Sequence, residues 1–310
     1  MVKRRRMFSV SALSTFDECR AKFNWSYRSK LELPGVSVAR DVGSVFHEGL
    51  ELWYRSAPTG VIPLGTKEDG IVQLLWTEYE ELRKTTFFSA ADEEKLLGVY
   101  VVGIGMLRAY WEHYRDKDKA WKVLGTEEPY RLPINGAMLH GYVDLVVEKQ
   151  GEVWVVEHKT KSKQTAEDLG SIPFSPQAAM YPLGMRRKFG PIRGVLYNIV
   201  VRPGFRQKQG ETREGFWQRC VDAYKAAPDE YFKRQPFLLD TLQCSRVKSE
   251  LKKKCNDVER AITERRLYRN YNACYKWGDV CPFIDLCLNG RKPELLSRFQ
   301  KRKSQTLKGV

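Results

Sequence analysis

"GYVDLVVEKQGEVWVVEHKTKS", residues 141–162, places apolar residues on both sides of Gln150-Gly151. That is the pattern of a β-hairpin in which the glycine supplies a positive φ at a two-residue turn. Such a turn sets the register. Lys149 pairs with Glu152, Val147 with Trp154, and Asp144 with Glu157. Side chains alternate faces along a strand. Tyr142, Asp144 and Val146 therefore share one face, and Glu157 and Lys159 share a face with Val153 and Val155. His158 points the other way, with Trp154 and Val156. Directly opposed residues hold their Cβ atoms about 5 Å apart. Two carboxylates so placed repel, and burial makes this worse. A shared proton, the ammonium of Lys159, or a hard divalent cation with oxygen ligands at about 2.0–2.6 Å would relieve the strain. The plainer alternative is a surface hairpin with solvated charges. The valine, leucine and tryptophan on both faces argue for burial.

The chain has 310 residues, of which 42% are hydrophobic and 12% aromatic, enough for a sizeable core. Lys and Arg outnumber Asp and Glu by 53 to 38, giving +15 and a pI near 9.4. A surplus of this size points to an anionic partner, nucleic acid first and an anionic membrane surface second, with solubility alone as the bland reading. The most apolar stretch, "LLGVYVVGIGML" (96–107), is too short to span a bilayer and runs into Arg108. The basic N-terminus meets Asp17 and Glu18 with no cleavage signature, so no signal peptide is expected. Seven cysteines, odd in number and unevenly spaced, fit thiols or metal ligands in a reducing compartment such as the cytoplasm, not a disulfide framework.

Outward from the hairpin, Leu13, Phe16, Phe23 and Tyr27 predict a helix over 11–30 entered by Ser11 or Ser14. A second helix starts near Asp41, a plausible N-cap, and ends before "SAPTG" (56–60). Residues 68–117 read as helical, and "WKVLGTEEPYRLPI" and "AMLHGYVDLVV" as strands before the hairpin closes with "EVWVVEHK". Ser175-Pro176 opens a further helix, with Pro at its first position. "RGVLYNIVV" (193–201) reads as a strand, and 245–270 as a basic helix. The whole reads as one α/β domain over 1–290, with a helical insertion at roughly 56–120 and a basic tail at 291–310.

Five elements, ordered along the chain from Cys19 to the late cysteine triad, carry a resemblance. Gly43-Ser44-Val45-Phe46-His47 is a GxxxH, which on a helix puts Gly43 one turn before His47 and leaves room beside the imidazole. Asp144, twelve residues, then Glu157-His158-Lys159 is a D…ExK. Gln177 and Tyr181 form a QxxxY, spaced to share a helix face, with Pro182 directly after them where a continuing helix is awkward. Cys19 stands alone early, and Cys274, Cys281 and Cys287 cluster late. Together these resemble the PD-(D/E)XK nuclease superfamily, and within it the RecB-like, CRISPR-associated-type and phage exonucleases that carry a four-cysteine iron–sulfur site.

The resemblance implies a restriction-endonuclease-like α/β core, a central mixed sheet flanked by helices, with a helical insertion and a C-terminal helical and cysteine segment. It implies a Mg²⁺- or Mn²⁺-dependent deoxyribonuclease, an exonuclease acting in DNA repair, recombination or phage DNA processing. His47, Asp144, Glu157 and the backbone carbonyl of His158 would be metal ligands. Lys159 would orient water or stabilise developing charge, and Gln177 and Tyr181 would position DNA or Lys159. Glu128 is a further candidate carboxylate. Cys19, Cys274, Cys281 and Cys287 would hold a [4Fe–4S] cluster; four thiolates suit zinc equally. Cys220, Cys244 and Cys255 read as ordinary thiols. DNA is the implied partner, with a helicase, recombinase or single-strand-binding protein beside it and no membrane, in the bacterial or infected-host cytoplasm. A nuclease-fold DNA-binding scaffold with an idle site is the alternative. The basic stretches 246–269 and 298–308 would track phosphates. Tyr268, Tyr271, Tyr275 and Trp277 either stack on unpaired bases or, on the plainer reading, pack around the cysteine site.

Overall fold

The computed structural model describes residues 6–55, 66–86, 88–134, 136–163, 165, 170–276 and 279–302. Its main elements, in chain order, are β1 (Arg6–Phe8), α1 (Val10–Glu18), α2 (Arg20–Phe23), β2 (Leu31–Glu32), α3 (Val38–Arg55), α4 (Thr66–Thr85), α5 (Ala90–Tyr114), β3 (Lys122–Ile134), β4 (Ala137–Lys149), β5 (Glu152–Lys161), α6 (Pro176–Phe189), β6 (Ile192–Val201), α7 (Arg213–Ala226), β7 (Phe232–Leu238) and α8 (Thr241–Thr263). "SAPTG", Trp277 and residues 303–310 of the basic tail lie outside the described residues. The chain divides into two compact units. One holds Gly35–Glu128 and Tyr142–Asp240; the other holds Met1–Pro34, Pro129–Gly141 and Thr241–Val310.

In the first unit the hairpin forms at the expected turn. Gln150 and Gly151 both take positive φ, 53° and 78°, the twist-matched conformation for a two-residue hairpin loop. Lys149 faces Glu152 and Val147 faces Trp154, as the turn predicts. β5 then pairs β6 in parallel, and β6 pairs β7 antiparallel, giving a mixed sheet in which β5 is an inner strand. An inner strand covered on both faces carries apolar residues on each of them in its first half, which is why Val155 and Val156, on opposite faces, are both fully buried. α3, α4, α5 and α7 supply Phe46, Leu50, Leu75, Ile104, Tyr110, Trp111, Phe216 and Tyr224 to the same core as Leu145, Val147, Val156 and Leu196 of the strands. α5 is buried along most of its length, as a helix apolar on all sides requires.

Two boundaries differ from expectation here. α3 begins at Val38, so Asp41 is not its N-cap; its carboxylate instead accepts the Ser37 N–H (2.7 Å) from within the first turn. α6 is capped by Ser175 as expected but continues through Pro182 to Phe189, although proline has no N–H for the Ala178 carbonyl.

In the second unit β1 lies parallel to the start of β4. The single helix expected over 11–30 is broken. It is capped by Ser9, whose side chain accepts the Ala12 N–H, and it stops at Glu18. Cys19 is extended (φ −160°, ψ 116°) and starts a new turn as the cap of α2. The basic helix runs Thr241–Thr263, starting earlier and ending earlier than expected. Among the described residues no helix is long and apolar enough to cross a membrane.

Candidate active site

The ladder between β4 and β5 ends at Leu145–Val156. One step further, where Asp144 would face Glu157, the Asp144 carboxylate Oδ2 takes the backbone N–H of His158 instead, at 2.7 Å. The side chain thus substitutes for a strand partner, and the main chain is left without an unpaired buried donor. Glu157 is 2% exposed and ion-paired with Lys159 on the same face of β5. Its other oxygen, Oε2, is buried with no hydrogen-bond partner. A buried carboxylate oxygen without a donor is costly, and it is an unused position for a cation.

His47 joins this pair from α3. Its Nδ1 is 3.6 Å from Asp144 Oδ2, and the ring hydrogen-bonds the backbone of His158. Gly43 makes the approach possible, though not by leaving room beside the imidazole. A Cβ there would sit 3.0 Å from Thr160 Oγ1, so the glycine lets α3 close onto β5. His47, Asp144, Glu157 and the backbone of His158 are thereby brought together.

The electrostatics follow from burial. Asp144 and Glu157 both have their pKa pushed up, first by burial and, for Glu157, next by the Asp144 charge. The Lys159 pKa is raised; burial opposes its charge, and Glu157 and Asp144 outweigh that. His47 is lowered to about 4, mainly by burial, so its ring is neutral near pH 7 and able to act as a ligand.

The imidazole of His158 turns to the opposite face, as the alternation predicts. It is 2% exposed, stacks on Tyr54 and lies 2.7 Å from Asn198 Nδ2. Asn198 also donates to Tyr110 OH and accepts from Arg234, which makes two hydrogen bonds to the buried Asp118. Sequence reasoning missed this network, and it missed Tyr197. Tyr197 faces Glu157 across the parallel pairing of β5 and β6, is buried, and has its pKa pushed up to about 12, chiefly by burial. The only signal was the polar pair Tyr197-Asn198 inside the apolar run "GVLYNIVV".

Gln177 and Tyr181 share a face of α6, and Gln177 Nε2 donates to Tyr181 OH at 2.7 Å. Glu128 is ion-paired with Lys188 at 2.5 Å.

The cysteine set belongs to the other unit. Cys287 lies close enough to Cys19 and Cys274 for their charges to interact, and Cys281 to Cys287 and Cys19. All seven cysteines are free thiols. Backbone and indole N–H groups point at the sulfurs. Lys22 N and Asn270 N donate to Cys19 Sγ at 3.5 and 3.4 Å, and Trp25 Nε1 donates to Cys287 Sγ at 3.4 Å. Cys220, Cys244 and Cys255 are buried elsewhere; burial pushes Cys220 up to about 12 and Cys255 to about 11. Among the described residues no three His, Cys, Asp or Glu side chains stand in the arrangement of a ready-formed metal site.

The D…ExK of the hairpin, the GxxxH of α3 and the mixed sheet that carries them lie inside a match to the PD-(D/E)XK nuclease superfamily that spans residues 7–288. The chain belongs to that superfamily. Among solved structures it is similar to that of a "Putative exonuclease" from Eubacterium rectale, at 11% identity over 93% of this chain and 89% of that one, with a TM-score of 0.45. It is also similar to the crystal structure of SSO0001, at 13% identity over 70% of this chain and 73% of that one, with a TM-score of 0.27. No curated protein sequence matches it.

Proposed function

We propose that this chain is a Mg²⁺- or Mn²⁺-dependent deoxyribonuclease, working as an exonuclease in DNA repair, recombination or phage DNA processing. The observation that carries the reading is the buried pair Asp144 and Glu157 beside Lys159 and a neutral His47. The orphaned Oε2 of Glu157 fits a hard cation, and so does the donor set of two carboxylates, one imidazole and the His158 carbonyl. A cation so held supplies Lewis acidity at the scissile phosphate. Lys159, freed from Glu157, places its ammonium against the charge that develops on the phosphoryl oxygens. His47 and Glu157 fix the hydrolytic position, and the Asp144–His158 N–H bond holds the two strands at that spacing. Gln177 and Tyr181 present an amide and a phenol to the substrate or to Lys159.

The cysteine set is read as a holder for a [4Fe–4S] cluster that ties the N-terminal helices to the C-terminal segment, with zinc as the alternative. Four free thiols near one another and N–H donors aimed at two sulfurs support either. Free thiols also suit work in a reducing cytoplasm, alongside a helicase, recombinase or single-strand-binding protein.

The test is digestion of end-labelled single- and double-stranded DNA with added Mg²⁺ or Mn²⁺. The wild-type chain should release short products from ends, and Asp144→Asn and Lys159→Ala should not. Cleavage by both variants would overturn the site assignment. Tight DNA binding by the wild type with no cleavage under either metal would favour the idle-site scaffold.

A further inference from the structure

The charge surplus is not shared between the units. Counted over the sequence, the unit with the cysteines holds 26 Lys and Arg against 10 Asp and Glu, a net +16. The unit with the candidate active site holds 27 against 28, a net −1. The excess of positive charge that an anionic partner would meet therefore lies in the cysteine unit.

On that unit, the segment after α8 carries three rings that the core does not take. Tyr268, Tyr271 and Tyr275 are 57%, 70% and 69% exposed. Packing around the cysteines, the plainer expectation, is not what these side chains do. Guanidinium groups already lie on two of the rings, Arg20 over Tyr268 at 4.7 Å and Arg269 over Tyr271 at 5.5 Å. The backbone beneath them is pinned. Ala21 N donates to Tyr268 O (3.0 Å), Asn270 N to Cys19 Sγ (3.4 Å), Asn270 Nδ2 to Glu18 O (2.8 Å) and Cys274 N to Tyr271 O (3.1 Å). Rings held out on an ordered segment lose little freedom on meeting a ligand, which favours a binding role. α8 of the same unit exposes Arg246, Lys248, Lys252 and Lys253.

We propose that Tyr268, Tyr271 and Tyr275 form a stacking platform for the unpaired bases of single-stranded DNA, with Arg269 and the exposed basic residues of α8 taking the phosphates. Phenol rings offer a face that any base can meet, and only an unpaired strand has base faces free to meet it. The +16 charge selects a polyanion over a protein partner. The choice of DNA rests on the nuclease reading; the platform itself rests on exposure and charge.

The experiment measures binding in the cleavage-dead Asp144→Asn protein, purified with its metals intact and without added divalent cation, so that it stands apart from any failure of catalysis. Fluorescence anisotropy compares labelled oligo(dT), an abasic strand of equal length, a blunt duplex and oligo(U). Each Tyr→Ala change should weaken oligo(dT) binding about tenfold, as loss of one stacked base does. Binding of the abasic strand and the duplex should change little, and Tyr→Phe at all three positions should bind oligo(dT) like the parent. If the triple alanine variant melts at a lower temperature, the single variants and the phenylalanine triple carry the comparison. Unchanged oligo(dT) binding in every alanine variant, or an equal loss for the abasic strand, would overturn the platform. Tighter binding of oligo(U) than of oligo(dT) would overturn the assignment to DNA.

Discussion

Asp144 and Glu157 sit at the end of a regular ladder, in a unit whose charges nearly cancel. Cys19 sits where a helix breaks, while Cys274 follows a 3-10 turn and Cys287 lies within a short helix, Ile284–Asn289, in a unit of net +16. On the proposed reading, the difference teaches what each site would need. Hard oxygen ligands gain from a low-dielectric setting, where two acids cannot both stay charged without a cation. Soft sulfur ligands gain from nearby N–H donors, and a chain that leaves regular structure has N–H groups to give. Binding of a long polyanion needs surface charge, which a buried ligand set cannot supply.

This division can be broken by separating cleavage from binding. Asp144→Asn or Lys159→Ala should lower the cleavage rate by at least about a thousandfold, since the first removes a carboxylate of the proposed cation's donor set and the second an ammonium that would meet the charge developing on the phosphoryl group. DNA affinity should stay within a few-fold. Lys248→Ala/Lys252→Ala/Lys253→Ala should do the reverse, lowering affinity and reducing the slope of log affinity against log salt by about 2 to 3 while leaving the saturated rate alone. Rate assays at saturating DNA and salt titrations check both. A binding loss in the first set, or a loss of saturated rate in the second, would erase the distinction.

The next largest effect concerns the buried support of the hairpin unit. Arg234→Ala leaves the Asp118 charge uncompensated and should cost about 3–5 kcal/mol in urea unfolding. Asp118→Leu/Arg234→Met removes both charges and should recover much of that. Equal losses would mean that packing, not charge, dominates there.

The pH dependence of metal binding sharpens the contrast further. Burial raises the Asp144 and Glu157 pKa values, so the metal-free pair holds protons at higher pH than ordinary carboxylates. Metal must displace them, so Mn²⁺ affinity should rise from about pH 6 to about pH 8, by up to about tenfold per unit for each proton displaced. His47, lowered to about 4, is neutral across that range and adds nothing to the slope. Calorimetry at several pH values checks this, and Asp144→Asn should flatten the profile.

The smallest effect is Gly43→Ala. The new Cβ meets Thr160 Oγ1 at 3.0 Å, so the threonine side chain must give by a few tenths of an ångström, and the helix-propensity gain of alanine offsets that strain, leaving a net change within about 1 kcal/mol by thermal unfolding. Thr160→Ala in the same chain removes that contact, so Gly43→Ala should be more favourable in the Thr160→Ala background than in the parent.

How much of this was legible in the sequence depended on distance along the chain. The hairpin turn and the register from Lys149–Glu152 to Val147–Trp154 were readable because Gln150-Gly151 fixes them within a few residues; the expected Asp144–Glu157 pair lies one step beyond the end of the ladder. The Ser175 cap and the strand of β6 were local for the same reason. Cys19 was not readable as a helix break. Leu13, Phe16, Phe23 and Tyr27 keep a helical spacing across it, and one partner of its sulfur, Asn270, is 251 residues away. Nor was the support network, which joins Arg234 to Asp118 across 116 residues and to Asn198 across 36. Tyr197 became visible only with the parallel register of β5 and β6, which no turn dictates.

Asp144 and Glu157 would hold the proposed cation together. Anomalous diffraction at the manganese edge, from crystals soaked in Mn²⁺ near pH 8, tests it most directly. A peak touching both carboxylates, with His47 and the His158 carbonyl as further ligands and Lys159 swung off Glu157, is the predicted result. Full Mn²⁺ occupancy at another place, with Lys159 still closed on Glu157, would contradict it.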